Sequence, residues 1–143
     1  MSNPVFIEAM RKSLELAAKA SQQGDVPVGA VVLNPAGEIV GQGFNTREID
    51  NDPMNHAEIV AMREAAIANN SWRLDDHTLV VTLEPCNHTG KTGPCSQALI
   101  EAGVKKVVFG TYDPGKTEGG GRFTLEEAGV EVVSDVLRDE CLQ

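Results

Sequence analysis

The stretch from Thr78 to Gly110 constrains the fold more than any other part of the chain. Thr78-Leu79-Val80-Val81-Thr82-Leu83 is short, apolar and rich in β-branched residues, the composition of a buried strand. Cys95-Ser96-Gln97-Ala98-Leu99-Ile100-Glu101-Ala102 follows Pro94 and stops at Gly103, and a proline before with a glycine after brackets a short helix. Lys106-Val107-Val108-Phe109-Gly110 then supplies a second strand. Two strands joined through a helix pair in parallel within one sheet, because the crossover carries the chain back to the edge it left.

The remaining segments arrange themselves around that unit. Over 3–20, Phe6, Met10, Leu14, Ala17 and Ala18 recur at helical spacing with Pro4 in the first turn, which predicts an amphipathic helix. Apolar runs over 28–33 and 38–44 flank the turn Asn34-Pro35-Ala36-Gly37 and predict a hairpin. The Asn- and Asp-rich stretch 45–55 predicts a loop. A helical pattern begins at His56, with Ile59, Val60, Met62, Arg63 and Ala66, and runs out near Asn69-Asn70. A short helix over 124–128, a strand over 130–133 and a helix over 136–142 complete the chain. The expected architecture is α/β: a three-layer α/β/α sandwich with a central five-stranded mixed sheet, in a single domain over 1–143. A content of 41% apolar residues is enough for one sizeable core.

Two stretches carry chemistry. His56 with Cys86 and Cys95 offers one imidazole and two thiolates, the three protein ligands of a catalytic zinc whose fourth tetrahedral position is left to water. Glu58 remains as the proton carrier. His56 and Glu58 stand two apart, about 200° around a helix, so they can serve one site only at a helix N-terminus that faces the ligand end-on. Cys95 likewise falls in a first turn, where unpaired N–H groups and the positive end of the helix dipole favour a thiolate. A structural zinc with Cys141 as fourth ligand is the alternative, but it leaves Glu58 without a role, and Cys141 reads as a bystander. His77, between Asp76 and Thr78, reads as a plain surface residue.

His-x-Glu followed by Pro-Cys and a second cysteine resembles the zinc-dependent cytidine and nucleobase deaminases, with eight residues between the cysteines where the usual signature has two. The loop Pro85-Cys86-Asn87-His88-Thr89-Gly90-Lys91-Thr92-Gly93-Pro94-Cys95 is similar to the deaminase domain of the bifunctional riboflavin-biosynthesis enzyme. Asp25-Val26-Pro27-Val28-Gly29, Asn45 and Asp52-Pro53 are similar to the bacterial tRNA adenosine deaminase and its guanine and cytosine deaminase relatives. The chain is a mosaic of these two branches. The resemblance implies the cytidine deaminase-like fold, zinc held by His56, Cys86 and Cys95, Glu58 as catalytic acid–base, and substrate contacts from Asn45, Ala57, His88 and Lys91. In the riboflavin branch the loop histidine and lysine approach a substrate bearing a ribose phosphate. A homodimer is also implied, since such deaminases commonly complete their pockets at a subunit interface.

The function expected is hydrolytic deamination of a small amino-heterocycle, a nucleobase or a riboflavin-pathway aminopyrimidine, with release of ammonia. The alternative is deamination of adenosine at the wobble position of a tRNA anticodon. A third reading, from another class, is a non-catalytic zinc-stabilised binding module. Twelve basic against 21 acidic residues give a net charge of −9, which disfavours nucleic acid as partner. Aromatic residues make up only 4%, so no extended base-stacking platform is visible; Phe123 follows the glycine run, on a segment that could close over a site. No run approaches a membrane span, the N-terminus has no signal-peptide pattern, and a cytoplasmic location is expected.

Overall fold

The computed structural model describes residues 3–52, 54–84, 95–111 and 121–141, the side chains of residue 95 and residues 121–123 excepted. Pro53, Cys86, His88, Lys91 and Tyr112, with the side chains of Cys95 and Phe123, therefore lie outside the described residues. In chain order the elements are α1 (Pro4–Gln22), β1 (Gly29–Leu33), β2 (Ile39–Phe44), α2 (Arg47–Asp50), α3 (Ala57–Asn69), β3 (Thr78–Leu83), α4 (Cys95–Ala102), β4 (Lys106–Thr111), α5 (Gly121–Glu127), β5 (Glu131–Val133) and α6 (Arg138–Cys141).

Among the described residues the strands form one five-stranded sheet in the order β2-β1-β3-β4-β5. The hairpin pairs β1 with β2 antiparallel, from Gly29 opposite Phe44 to Leu33 opposite Ile39, with a bulge at Val32/Leu33. β1 and β3 are also antiparallel. β3 and β4 are parallel, as the crossover requires, and so are β4 and β5. The sheet is thus mixed and the predicted fold class holds.

Alternation along the strands divides the interior into two cores. Ala30, Val32, Leu79, Val81, Val107 and Phe109 face α3 and α4, where Ala61, Met62, Ala65 and Leu99 cover them. Val31, Leu33, Val80 and Val108 face the other way and meet Ala9, Met10 and Leu16 of α1, with Val136 beside them. Helices on both faces make the three layers.

Three details differ from the sequence reading. The buried stripe of α1 runs through Ala9, Met10, Ser13, Leu16, Ala17 and Ala20, leaving Leu14 half-buried and Ala18 exposed. The reason is the approach of β1: a Cβ on Gly29 would lie 1.9 Å from the Ser13 carbonyl and 2.7 Å from the Ala17 nitrogen, so small residues must face it. The Ser13 hydroxyl stays satisfied by donating to the Ala9 and Val80 carbonyls. The loop 45–55 contains the short helix α2. His77 is not a surface residue: it is buried, its Nδ1–H donating to the Asp75 carbonyl at 2.8 Å and its own carbonyl accepting from the Lys105 N–H at 3.0 Å. Among the described residues no helix is long and apolar enough to cross a membrane.

Candidate active site

The topology brings His56, Glu58 and the start of α4 to one edge of the sheet. Both β2 and β3 run antiparallel to β1, and β3 runs parallel to β4, so β2, β3 and β4 end at the same edge. α3 connects β2 to β3, α4 connects β3 to β4, and both helices lie against the same core. Each must therefore start where the preceding strand ends. His56 is the residue before α3, Cys95 opens α4, and the chain leaves β3 at Glu84, two residues ahead of Cys86. Two helix N-termini, each presenting N–H groups and the positive end of a dipole, converge on that edge.

The start of α3 is unusual for a helix end. His56 is the N-cap, with φ −70° and ψ 152°, yet its side chain makes no capping hydrogen bond. Histidine is not among the favoured caps. The cap comes from elsewhere: Asn45 Oδ1, twelve residues back, accepts the Ala57 N–H at 2.8 Å. Glu58 follows in the first turn and is 4% exposed, a carboxylate inside the protein at the end of a helix dipole that favours negative charge. Ala57 is fully buried between them.

Asn45 is itself held on both sides. Its Nδ2 donates to the Val26 carbonyl at 3.0 Å and its backbone N–H to the Val28 carbonyl at 3.2 Å. A primary amide has two donors and an acceptor with two lone pairs, so one hydrogen and one lone pair remain beyond these bonds. Behind it lies Asp25, which the sequence reading noted only for its resemblance. The Asp25 carboxylate accepts from the Val26 and Glu48 N–H groups and from Arg47, whose Nη2 stands at 3.0 Å. Burial opposes its ionisation, but the Glu48 amide, the Arg47 guanidinium and the Val26 amide outweigh that and hold it below the usual carboxylate range. Asn55 extends the lacing, donating to Asp50 and accepting from Arg63.

Small residues let α3 sit this close. A Cβ on Gly41 would fall 2.3 Å from the Ala61 carbonyl, and one on Gly43 2.7 Å from the Ala61 nitrogen. The helix backbone lies directly on β2.

The donor set suits zinc in kind: a neutral imidazole and two thiolates match its borderline softness and its tetrahedral habit. Among the described residues no three His, Cys, Asp or Glu side chains are placed to hold a metal, and the expected set draws two of its three donors, Cys86 and Cys95, from outside them. Cys141 belongs to the opposite face. It packs into the α1 core, over Gly110, and burial pushes its thiol up to about 11.

A mixed sheet with two helix N-termini at one edge, a histidine at the first and a cysteine at the second, defines a class. Residues 6–111 match the family described as the cytidine and deoxycytidylate deaminase zinc-binding region, and the chain belongs to that family, whose cofactor is zinc and whose chemistry is hydrolytic deamination. Riboflavin biosynthesis protein RibD of Corynebacterium ammoniagenes is 42% identical over 134 residues, which cover 91% of this chain and 36% of that protein. The tRNA-specific adenosine deaminase of Haemophilus influenzae is 40% identical over 139 residues, 94% of this chain and 77% of that one. Among solved structures, the diaminohydroxyphosphoribosylaminopyrimidine deaminase/5-amino-6-(5-phosphoribosylamino)uracil reductase of Thermotoga maritima matches with a TM-score of 0.80 at 37% identity, covering 96% of this chain and 38% of that chain. The chain thus spans little more than a third of each of these two riboflavin-type relatives. Both branches expected from the motifs are represented.

Proposed function

We propose that this chain hydrolyses the ring C–N bond of a small amino-heterocycle, a nucleobase or a riboflavin-pathway aminopyrimidine, to leave a carbonyl and ammonia. The observation that carries the reading is the start of α3, where His56 occupies the N-cap without capping the helix and Glu58 is buried in the first turn at the same edge. His56, Cys86 and Cys95 would hold the zinc. When bound, the metal lowers the pKa of water towards neutrality and so makes a nucleophile available.

Glu58 accepts a proton from the attacking water as its oxygen bonds to the amine-bearing carbon. It delivers that proton to the adjacent ring nitrogen, and a second proton follows the same route to the departing amine. One water is consumed and one ammonia released. Asn45, Ala57, His88 and Lys91 are assigned to the substrate side. The spare amide hydrogen and lone pair of Asn45 suit the mixed donor and acceptor edge of a heterocycle, and Lys91 suits a phosphate as a point charge. A cytoplasmic homodimer is part of the same reading, by analogy with the family.

The second reading is adenosine in a tRNA anticodon loop. It is favoured by one specific observation, that the chain covers 77% of the Haemophilus enzyme. Against it stands the net charge of −9. The test is ammonia release from cytosine, guanine, adenine, the phosphorylated riboflavin-pathway pyrimidine and an anticodon stem-loop, each with zinc-loaded protein. Turnover of a free base or the pyrimidine supports the first reading. Turnover of the stem-loop alone supports the second and removes the first.

A further inference from the structure

Asp25 is a buried carboxylate that the proposed reaction does not use. Its side chain is only 1% exposed, whereas Arg47, its partner, keeps 36% of its side chain in solvent. Oδ1 accepts from the Val26 N–H at 2.8 Å and from Arg47 Nη2 and Nε at 3.0 and 3.3 Å, and Oδ2 accepts from the Glu48 N–H at 3.0 Å. Oδ1 thus takes three donors and Oδ2 one. The partners come from two separate segments, the turn after α1 and the first turn of α2.

Among the described residues, hydrogen bonds rather than apolar contacts hold the segment that Asp25 pins. No residue of α2 is buried, its N-cap Thr46 makes no side-chain capping bond, and Ile49 and Met54 are 57% and 41% exposed. Among the described residues, apolar burial therefore does not fix the stretch between β2 and α3. Hydrogen bonds do: Glu48 and Arg47 to Asp25, the Thr46 N–H to the Asn55 carbonyl at 3.0 Å, and Asn45 to Val26 on one side and Ala57 on the other. From Val26, whose N–H donates to Asp25 and whose carbonyl accepts from Asn45, to the peptide that joins His56 to Ala57, the path runs through one side chain, Asn45.

We propose that Asp25 is a positioning residue for the His56 imidazole: it pins α2 and the Val26 peptide, and through Asn45 fixes the angle at which α3 begins. The inference rests on the assignment of His56 as a zinc ligand. The imidazole is carried on the N-cap residue itself, so the peptides that hold that backbone on either side set where its Cβ sits and how it is aimed. Removing a partner that orients a metal ligand commonly lowers metal affinity about 10–100-fold. Asp25 acts at one remove, and the low end applies.

The test compares wild type, Asp25→Asn, Arg47→Ala and Ser13→Ala, the last being a destabilising control on the α1 face. Zinc affinity is read by chelator competition, and the ligand field by the visible d–d bands of the cobalt-substituted protein. The expected result is about tenfold weaker zinc binding in Asp25→Asn, with shifted cobalt bands and unchanged far-ultraviolet circular dichroism. Ser13→Ala should match wild type in both metal readouts. Should Asp25→Asn fail to fold, Arg47→Ala, which leaves both backbone bonds to the carboxylate, takes its place with a smaller loss expected. Wild-type affinity and spectrum in whichever Asp25 or Arg47 variant folds overturns the inference, as does an equal loss in Ser13→Ala. Absence of thiolate-to-cobalt absorption in wild type itself instead removes the metal assignment, and the inference with it.

Discussion

α1 and α3 lie on opposite faces of the sheet and are specified in opposite ways. α1 carries its own start and stop: the Asn3 side chain accepts the Val5 N–H at 2.9 Å, Pro4 opens the helix, and Gly24 follows it at φ +82°. α3 borrows its start. Its N-cap is a histidine that does not cap, and the missing bond comes from Asn45, which is held in turn by the Val26 segment next to Asp25. A scaffold helix can be closed by its neighbours in sequence. α3, whose N-cap side chain does not close it, is closed by a polar group from a distant segment and inherits that segment's sensitivity.

That contrast can be broken most severely at the contact of α3 with β2. In Gly41→Val the new side chain meets the α3 backbone, with its Cβ 2.3 Å from the Ala61 carbonyl. The helix must move, so a loss of about 3 kcal/mol in urea unfolding and the disappearance of ammonia release are expected. Asn45→Ala comes next. It leaves the Ala57 N–H without its acceptor and the Val26 carbonyl with the Val28 N–H alone, which should cost about 1–3 kcal/mol and weaken zinc binding in the same chelator assay.

Acid sharpens the comparison further. The Asp25 carboxyl is depressed in the folded state, so the stability it gives is fully present above its unfolded value of about 3.9 and is lost as pH falls through the lower folded value. Below about pH 4 the melting temperature of wild type should therefore fall more steeply than that of Asp25→Asn. The smallest effect belongs to the self-contained helix. Asn3→Ala removes a local cap and should cost about 1 kcal/mol in thermal unfolding, with zinc affinity unchanged.

The same contrast decides what could be read from the sequence. Local patterns were legible: the hairpin from its Asn-Pro-Ala-Gly turn, the parallel pair from the crossover helix, and the starts of α3 and α4 from the onset of periodicity at His56 and from Pro94. Long-range satisfaction was not. α2 was hidden because the group that accepts its Glu48 N–H is Asp25, more than twenty residues earlier. The rotation of α1 was hidden because it follows from where Gly29 meets Ser13, and His77 because the entry to β4 covers it. Asn45 stood out as a residue type suited to a heterocycle, but nothing in the sequence showed that it closes the helix bearing His56 and Glu58. Asp25 offered a usable signal after all, an acidic residue just past a helix end and ahead of an apolar strand.

The central claim is that Glu58 moves the protons while the metal is held by other residues. Metal content and ammonia release in Glu58→Ala test it together, using whichever substrate the wild-type protein turns over. The account predicts zinc at the wild-type stoichiometry with deamination abolished. A variant that keeps its zinc and most of its turnover would contradict it and take Glu58 out of the mechanism.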